Sequence, residues 1–357
     1  MHNTITLTLA AVAIATFSLH AQVLLQDNFN DNKLDGTKWR VVTKGIPGKP
    51  AVYERNKRIE LVNRGYLVSQ KQFDPSKIGG IRITGKWTFV KSSGDFDIMR
   101  IVTRSDATPS GRYGEVRSGL VFTTSLSYSP KSFIAGISNP GIKVGSRTWT
   151  GSLKSQVGRV YHFEILDTRC FARFTITDPV TKAFTTASVS IIQDATTTKH
   201  IVFYNRERIF GDKVAYLDDV VVSRVAGGSL CATTSAISVA SGGSATFLIS
   251  AGQSHARKFY LLLGSMSGTT PGVRVGSLTL PLNPDSYFAY TAGDPGGLIR
   301  GSLGILDLQG RGSAKLVLPP KLATPFVGRT LNHAYLVLRL GPQFDSVSNA
   351  VPLKLVK

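Results

Sequence analysis

Hydrophobic and polar residues alternate along this chain in short runs of the kind that form β-strands. In residues 171–177 (FARFTIT), Ala172, Phe174 and Ile176 would share one face of a strand, because successive side chains point to opposite sides. The Asp178-Pro179 pair that follows is typical of a turn. Helical spacing of apolar residues is almost absent, so we predict an all-β protein. The clearest other runs cover residues 59–62, 80–89, 96–103, 116–123, 160–166, 200–204, 214–222, 246–250, 259–263, 286–290, 314–318, 334–340 and 351–356.

A glycine-rich segment divides the predicted strands into two series. Residues 226–229 read Ala-Gly-Gly-Ser, a composition typical of a loop between folded units. We therefore predict a first domain over residues 22–226, a linker over 227–234 and a second, smaller β-sandwich domain over 235–357. A chain of 357 residues is long enough for two domains with cores of their own.

The first 21 residues have the pattern of a signal peptide. An apolar run over residues 5–17 precedes Ser18-Leu19-His20-Ala21, which predicts cleavage after Ala21. The run is too short to span a bilayer comfortably, and no other stretch approaches about 18 apolar residues. We therefore predict a secreted or cell-surface protein with no transmembrane segment.

Export bears on the two cysteines of the chain. In an oxidising compartment Cys170 and Cys231 could form a disulfide that ties the start of the second domain to the first. Two separate buried thiols are the alternative, because the sequence does not give the distance between their Cα atoms. No CxxC motif or Cys/His cluster is present, so a zinc site is not predicted.

The chain carries a large excess of positive charge. It has 42 Lys and Arg against 22 Asp and Glu, a formal net charge of +20. Such a charge attracts polyanions, and for an exported protein these would be acidic or sulfated polysaccharides or cell-envelope glycans. A basic surface that only keeps the protein soluble in an alkaline or salty environment is the alternative. The basic residues are dispersed, without the basic helix or aromatic-plus-basic motif of a nucleic-acid reader. No specific nucleic-acid partner is therefore predicted.

Three short motifs resemble a known superfamily. Residues 27–39 (DNFNDNKLDGTKW), 118–122 (SGLVF) and 216–222 (YLDDVVV) are similar to the opening, centre and close of concanavalin A-like jelly-roll domains, which include laminin-G modules, lectins and glucanases. The resemblance implies that the first and last strands of the first domain lie side by side. It also implies a structural calcium ion where those strands meet, with Asp27 and Asp218 at the matching positions. Turn acids hydrogen-bonded to the backbone are the alternative, and no other cofactor is expected.

The second domain resembles a C-terminal module of secreted bacterial multidomain proteins. The terminal position of that module implies attachment, spacing or sorting, by analogy alone. The segments that carry the resemblance are residues 260–272, 281–287, 304–310, 333–337 and 348–352.

Paired catalytic acids of the jelly-roll glucanase type are missing. Those enzymes place carboxylates on one face of a strand in an ExDxxE arrangement. The nearest pair here, Glu164 and Asp167, has a spacing of three and points to opposite faces. Asp218 and Asp219 are adjacent, which also predicts opposite faces. The sequence therefore does not favour a retaining glucanase.

A second arrangement would suit a jelly-roll polysaccharide lyase. Tyr113, Glu115 and Arg117 would share one face of a strand, next to Arg112, and His162 could act with Tyr113 in proton transfer. In such enzymes basic and amide side chains neutralise a uronate carboxylate. The other lyase motifs expected on later strands are missing, so a solvated strand face with a Glu–Arg pair is the alternative.

Glycan contacts without catalysis would use a related set of residues. Arg112 and Arg117 could bind an acidic sugar, and Trp149, in a polar run beside loops, could stack on a sugar ring. Trp39 and Trp87 lie in strand patterns typical of a core. The sequence favours a secreted, non-catalytic protein that binds glycans or the cell envelope and prefers acidic polysaccharides. A polysaccharide lyase or hydrolase and a structural or adhesive surface protein are the alternatives.

Overall fold

The computed structural model describes residues 22–46, 48–90, 98–110, 115–125, 133–138, 142–151, 153, 156–206, 214–225, 228–322, 324–339 and 344–357. The signal-peptide prediction for residues 1–21 lies outside this part of the chain. None of the helices in the described ranges is long and apolar enough to cross a membrane.

The first part of the chain is almost entirely β-structure, with one short helix that begins after an Asp74 cap and ends at Gly79. The elements are β1 (Val23–Asp27), β2 (Trp39–Val42), β3 (Ala51–Arg55), β4 (Arg58–Val62), β5 (Tyr66–Ser69), α1 (Pro75–Ile78), β6 (Ile81–Phe89), β7 (Ile98–Ser105), β8 (Pro109–Ser110), β9 (Glu115–Val116), β10 (Ser118–Ser125), β11 (Phe133–Ser138), β12 (Ile142–Gly151), β13 (Val160–Asp167), β14 (Phe171–Thr177), β15 (Phe184–Asp194), β16 (His200–Arg206) and β17 (Val214–Arg224).

Apart from a separate two-stranded pair of β8 and β9, these strands form two antiparallel sheets. A nine-stranded sheet has the order β12-β15-β14-β13-β6-β17-β4-β3, with β1 also paired to β17. A six-stranded sheet has the order β11-β10-β7-β16-β5-β2. In the β1–β17 pair Asp27 lies opposite Val220, so the first and last strands of this part are neighbours. The predicted all-β, jelly-roll class is confirmed.

The two sheets enclose one apolar core. Alternating residues of both sheets point inward, and aromatic rings meet across the gap. The ring centroids of Phe122 and Phe174 are 6.1 Å apart, and those of Phe163 and Phe203 are 6.3 Å apart. Trp87 in this core is completely buried. Burial of so much apolar surface is the main favourable term that holds the sheets together.

The outer face of the six-stranded sheet is also covered. Side chains such as Tyr66, Val102 and Tyr204 form a second buried cluster there. Ile46, from the segment after β2, and Val116, from β9, pack on top of them. The outer face of the nine-stranded sheet is different, because the outward side chains of β6, β13 and β14 are half-buried or exposed.

The second part of the chain forms another sandwich, built on one four-stranded and one six-stranded sheet. Its pairings are antiparallel except for a parallel pair between residues 236–238 and 354–356. Two short 3₁₀ turns lie at Gln253–His255 and Thr324–Phe326. The elements are β18 (Ser229–Ala232), β19 (Ala236–Ser238), β20 (Gly243–Ser250), β21 (Phe259–Ser265), β22 (Val273–Val275), β23 (Leu278–Leu280), α2 (Ser286–Gly293), β24 (Ile299–Arg300), β25 (Leu303–Ile305), β26 (Arg311–Leu318), β27 (Thr330–Leu338), β28 (Phe344–Val347) and β29 (Val351–Val356).

The strand expected at residues 286–290 is a helix. Asp285 caps α2, because its carboxylate accepts a hydrogen bond from the backbone N–H of Phe288 at 2.8 Å. Tyr287 and Thr291 lie four residues apart and are both buried, as one face of a helix requires. The apolar run of this segment has no clear alternation, and the Asp285 cap favours a helix over a strand.

A disulfide joins the two sandwiches. Cys170, in the turn between β13 and β14, is bonded to Cys231 of β18, with Cα atoms 5.9 Å apart and a sequence separation of 61. Close by, the Ser250 hydroxyl donates a hydrogen bond to the carbonyl of Ser76 at 3.5 Å. The start of the second sandwich is therefore held directly against the first.

Removal of this crosslink is expected to destabilise the chain. A bridge that closes a loop of this length typically contributes about 2–4 kcal/mol, because it restricts the unfolded chain. We expect Cys170→Ser/Cys231→Ser to lower the urea midpoint and to make it insensitive to reductant, whereas reductant should lower the midpoint of the wild type. The protein unfolded without reductant should show no maleimide-reactive thiol. Two reactive thiols under those conditions would contradict the bridge.

Candidate functional site

The exposed face of the nine-stranded sheet is polar over its central strands. On β6, β13 and β14 the inward positions are mostly apolar. The outward positions of β6 alternate between basic and threonine side chains, and the outward positions in the middle of β13 and β14 are also polar. Paired residues across these antiparallel strands share a face, so the outward side chains form rows. One row contains Lys86, His162 and Thr177, and the next contains Thr84, Glu164 and Thr175.

A hollow of about 420 Å³ interrupts this face. Opposite Gly85, β17 contains a bulge, where the register slips between Asp218 and Val221. A Cβ atom on Gly85 would lie 2.6 Å from the ring of Phe163, so the glycine is required for this close approach. The hollow is lined by Thr84, Gly85, Lys86, His162, Phe163, Glu164, Thr175, Thr177 and Asp219.

The bulge changes the direction of one acidic side chain. Strict alternation predicts opposite faces for Asp218 and Asp219, but Asp219 has a φ of 50° and turns toward the outer face. There it forms an ion pair with Lys86. The hydrogen bond to Asp219 raises the pKa of the Lys86 ammonium. Burial, followed by the charge of Asp219, raises the pKa of Asp218.

One edge of the hollow has a local excess of positive charge. The Arg82 Nε atom donates to Glu164 Oε2 at 2.7 Å, and Arg173 Nη2 lies 3.7 Å from Glu164 Oε1. Two guanidinium groups thus share one carboxylate. Both arginine side chains are about half exposed, so their remaining N–H groups face solvent.

The lining can form many hydrogen bonds. Thr84, Thr175 and Thr177 present hydroxyl groups, and the carboxylates of Glu164 and Asp219 accept hydrogen bonds. Thr175 Oγ1 already lies 2.9 Å from Thr186 Oγ1 of β15, which holds its side chain in place. Such a surface suits a ligand that carries several hydroxyl groups.

The residues predicted for a lyase do not form one site with His162. Glu115 and Arg117 lie at and next to β9, whose Val116 packs over the outer face of the six-stranded sheet. His162 is exposed on the outer face of the nine-stranded sheet, so the apolar core separates the two groups. Arg112 and Tyr113 lie outside the described residues. For Trp149 the structure describes only its place in β12, an edge strand of the nine-stranded sheet.

The two positions matched to calcium are occupied by other interactions. Asp27 accepts hydrogen bonds from the Trp39 indole N–H at 2.9 Å and from the Phe29 backbone N–H at 3.2 Å. Its carboxylate also lies 3.6 Å from the Lys38 ammonium group. In the described part of the chain no three His, Cys, Asp or Glu side chains converge as metal ligands. Calcium binding by Asp27 and Asp218 stays a prediction, and nothing below depends on it.

Sequence reasoning did not identify the hollow. Its signal was Gly85 inside a strand that otherwise alternates well, since an isolated glycine in a strand often marks a bulge or a close approach. The partners of that glycine come from β13 and β17, far away in sequence, and only the strand register brings them together.

Comparisons with known proteins give weak structural similarities. No protein-family model matches the chain, and no curated protein is similar to it in sequence. The exoplasmic/lumenal domain of VIP36 in its Ca²⁺/Man3GlcNAc-bound form has a TM-score of 0.40 and 7% identity, covering 56% of this chain and 90% of that one. The cellulose induced protein Cip1 has a TM-score of 0.37 and 10% identity, covering 57% and 99%.

A third similarity is to a mutant of the GH43 protein BlXynB from Bacillus licheniformis. It has a TM-score of 0.39 and 12% identity, and covers 56% of this chain and 39% of that one. We draw no functional conclusion from similarities of this strength.

Proposed function

We propose that this protein binds carbohydrate, with one sugar residue held in the hollow above Gly85. The observation that carries the proposal is the hollow itself, a built depression on an otherwise regular sheet face. Its volume of about 420 Å³ is within the range of about 300–1,000 Å³ usual for ligand sites. The bulge in β17 interrupts the sheet face at this point, and hydroxyl and carboxylate groups surround the space.

The chemistry of the lining supports a sugar over an apolar ligand. Sugar hydroxyls both donate and accept hydrogen bonds, and the hollow offers carboxylate acceptors beside ammonium and guanidinium donors. Because Lys86 and Asp219 already pair, as do Arg82 and Glu164, these side chains are held in place before a ligand arrives. Pre-organised polar groups favour specific recognition at a low entropic cost.

A preference for acidic polysaccharides is part of the proposal. Arg82 and Arg173 share the single carboxylate of Glu164, which leaves guanidinium N–H groups for a uronate or sulfate at the rim. The net charge of +20 would raise the local concentration of such polyanions. We further propose that the protein acts outside the cell or at its surface, which the N-terminal pattern and the disulfide both support.

A large side chain in the hollow should weaken glycan binding. We expect Thr177→Tyr to weaken glycan binding at least tenfold, about 1.4 kcal/mol, because the new ring would occupy the space of the sugar. Thr246→Tyr is the matched control, since Thr246 is a half-buried threonine on β20 of the second sandwich, away from the hollow. Both substitutions place an aromatic residue on a half-exposed strand face, which strands tolerate well. The measurement is a glycan array with the purified protein, followed by titration of each ligand found.

The outcomes separate this proposal from its alternatives. Equal loss in both tyrosine variants, or none in Thr177→Tyr, would remove the hollow as the binding site. A rise in ultraviolet absorbance on uronate polysaccharides, from unsaturated products, would indicate a lyase instead. An array without any bound glycan would contradict the proposal and leave a structural or adhesive role.

The preference for acidic ligands has its own test. We expect Arg82→Gln/Arg173→Gln to reduce binding of acidic glycans and to flatten its salt dependence, because the rim loses two positive charges. Binding of neutral glycans should change little in the same variant. Unchanged salt dependence would show that the acidic preference does not arise at this rim.

A further inference from the structure

A second cavity lies at the junction of the two sandwiches, beside the disulfide. Its volume is about 360 Å³. The first sandwich contributes Arg169, Asp194 and Lys199 to its walls, and the second contributes Leu248 and Arg311. The cavity is on a different part of the molecule from the hollow above Gly85, and the two share no lining residue.

Most charges in this cavity are already paired. Asp194 accepts hydrogen bonds from Lys199 at 2.6 Å and from the buried Arg104 at 2.8 Å. Burial acts to raise the pKa of Asp194, but these two cations lower it below its ordinary value. Asp74 accepts hydrogen bonds from the hydroxyl and backbone N–H of Ser76 and lies 3.8 Å from Lys77.

Arg169 and Arg311 are the exceptions. Among the described residues, no carboxylate lies within ion-pair distance of either guanidinium group, and the Nε atom of Arg311 is buried without a hydrogen-bond acceptor. Burial, followed by the charge of Arg311, lowers the pKa of Arg169. Asp307 opposes this effect, but its Oδ1 atom already accepts the backbone N–H groups of Gln309 and Arg311.

Two guanidinium groups that face one cavity repel each other unless an anion lies between them. Each can donate two parallel hydrogen bonds to an oxyanion, and desolvation in a partly closed cavity strengthens such bonds. We propose that the junction cavity is an oxyanion site, in which Arg169 and Arg311 bind one sulfate or phosphate group. Because the two arginines come from different sandwiches, the bound anion would also fasten the sandwiches together.

The experiment is a thermal unfolding series on the full chain in sodium sulfate, sodium phosphate or sodium chloride at equal ionic strength. We expect sulfate or phosphate to raise the Tm above its value in chloride, with a saturating dependence on concentration. Arg169→Gln and Arg311→Gln should each reduce the apparent affinity at least tenfold. Arg274→Gln is the matched control, because Arg274 is an exposed arginine of β22 away from the cavity.

The Tm in chloride distinguishes an anion site from a purely structural role of these arginines. If the site is for an anion, Arg169→Gln should keep or raise the Tm in chloride, because the repulsion between the two guanidinium groups is relieved. Equal Tm values of the wild type in chloride, sulfate and phosphate would overturn the proposal. An anion response that persists in both cavity variants would overturn it too.

The kind of ligand that raises the Tm shows whether the anion is a free ion or an ester group on a glycan. A response to inorganic sulfate or phosphate would indicate a free ion, whereas a response only to a sulfated oligosaccharide, and not to its desulfated form, would indicate an ester group on a glycan. Either supports the site. Thr177→Tyr should keep the anion response, so failure of the hollow and failure of the junction site are separable.

Discussion

Replacement of Asp167 by Ala is expected to lower the free energy of unfolding by about 3–5 kcal/mol, the range for a buried ion pair that loses one partner. Asp167 and Arg104 are both almost completely buried, and Arg104 Nη2 lies 2.6 Å from Asp167 Oδ1. The same carboxylate accepts the Thr103 hydroxyl at 2.5 Å. Its removal would leave a buried guanidinium group with only Asp194 and the Thr168 carbonyl as acceptors.

The measurement is urea unfolding at neutral pH, with Glu164→Ala as the control. Glu164 also binds an arginine, but Arg82 is 53% exposed, so we expect that loss to stay within about 1 kcal/mol. Arg104→Met/Asp167→Leu should recover much of the stability of the single variant, because it removes both charges together. A loss of less than about 1 kcal/mol in Asp167→Ala would contradict the role given to this pair.

Acid should destabilise the second sandwich through His333. This side chain is completely buried between Phe247, 4.4 Å away between ring centroids, and the hydroxyl of Tyr287, 2.9 Å from its Nε2 atom. Burial lowers its pKa to about 3, from an ordinary value of 6.5. The folded state therefore holds His333 neutral, whereas the unfolded chain binds a proton below pH 6.5.

The sign follows from this difference. Because the folded pKa is lowered, the stabilising contribution is complete above pH 6.5 and is lost progressively as the pH falls toward 3. The loss should be about 2 kcal/mol by pH 5 and about 5 kcal/mol near pH 3, at 1.36 kcal/mol per pH unit.

Denaturant unfolding between pH 7 and pH 4 measures this slope. Burial also lowers the pKa values of His200 and His255, so the wild type and His333→Phe must be compared directly. The Phe variant should be less stable at pH 7, since Tyr287 loses its partner, but its stability should depend less on pH. His162→Phe, at an exposed site, is the control for the loss of one imidazole. Parallel slopes for the wild type and His333→Phe would contradict the prediction.

The architecture could be predicted from local pattern, whereas the hollow could not. Alternation in runs such as residues 171–177 reports burial on one face, and burial on one face is what a sandwich requires. The error at α2 arose where alternation was weak and an Asp285 cap favoured a helix. The hollow depends on Gly85 lying opposite a bulge more than 130 residues later, and no local signal fixes that register.

Charge, like the fold, could be predicted from the sequence as a total but not at individual sites. The net charge of the sequence predicts a polyanion as partner. It does not predict which arginine side chains keep N–H groups free to bind one. Arg104 is fully paired inside the first sandwich, whereas Arg169 and Arg311 line one cavity at the junction. That difference comes from strand ends and turns of two separate sheets, which residue counts do not describe.

The pairing of distant strands determines when each sandwich can fold during synthesis of the chain. β1 pairs with β17, so the first sandwich cannot close until residues 214–224 have left the ribosome. In the second sandwich β19 pairs with β29, so the edge of that sheet cannot form until residues 351–356 have been made. Long-range strand pairing of this kind slows folding. A nascent chain therefore remains incompletely folded in its first sandwich until β17 has been made, and in its second until β29 has been made.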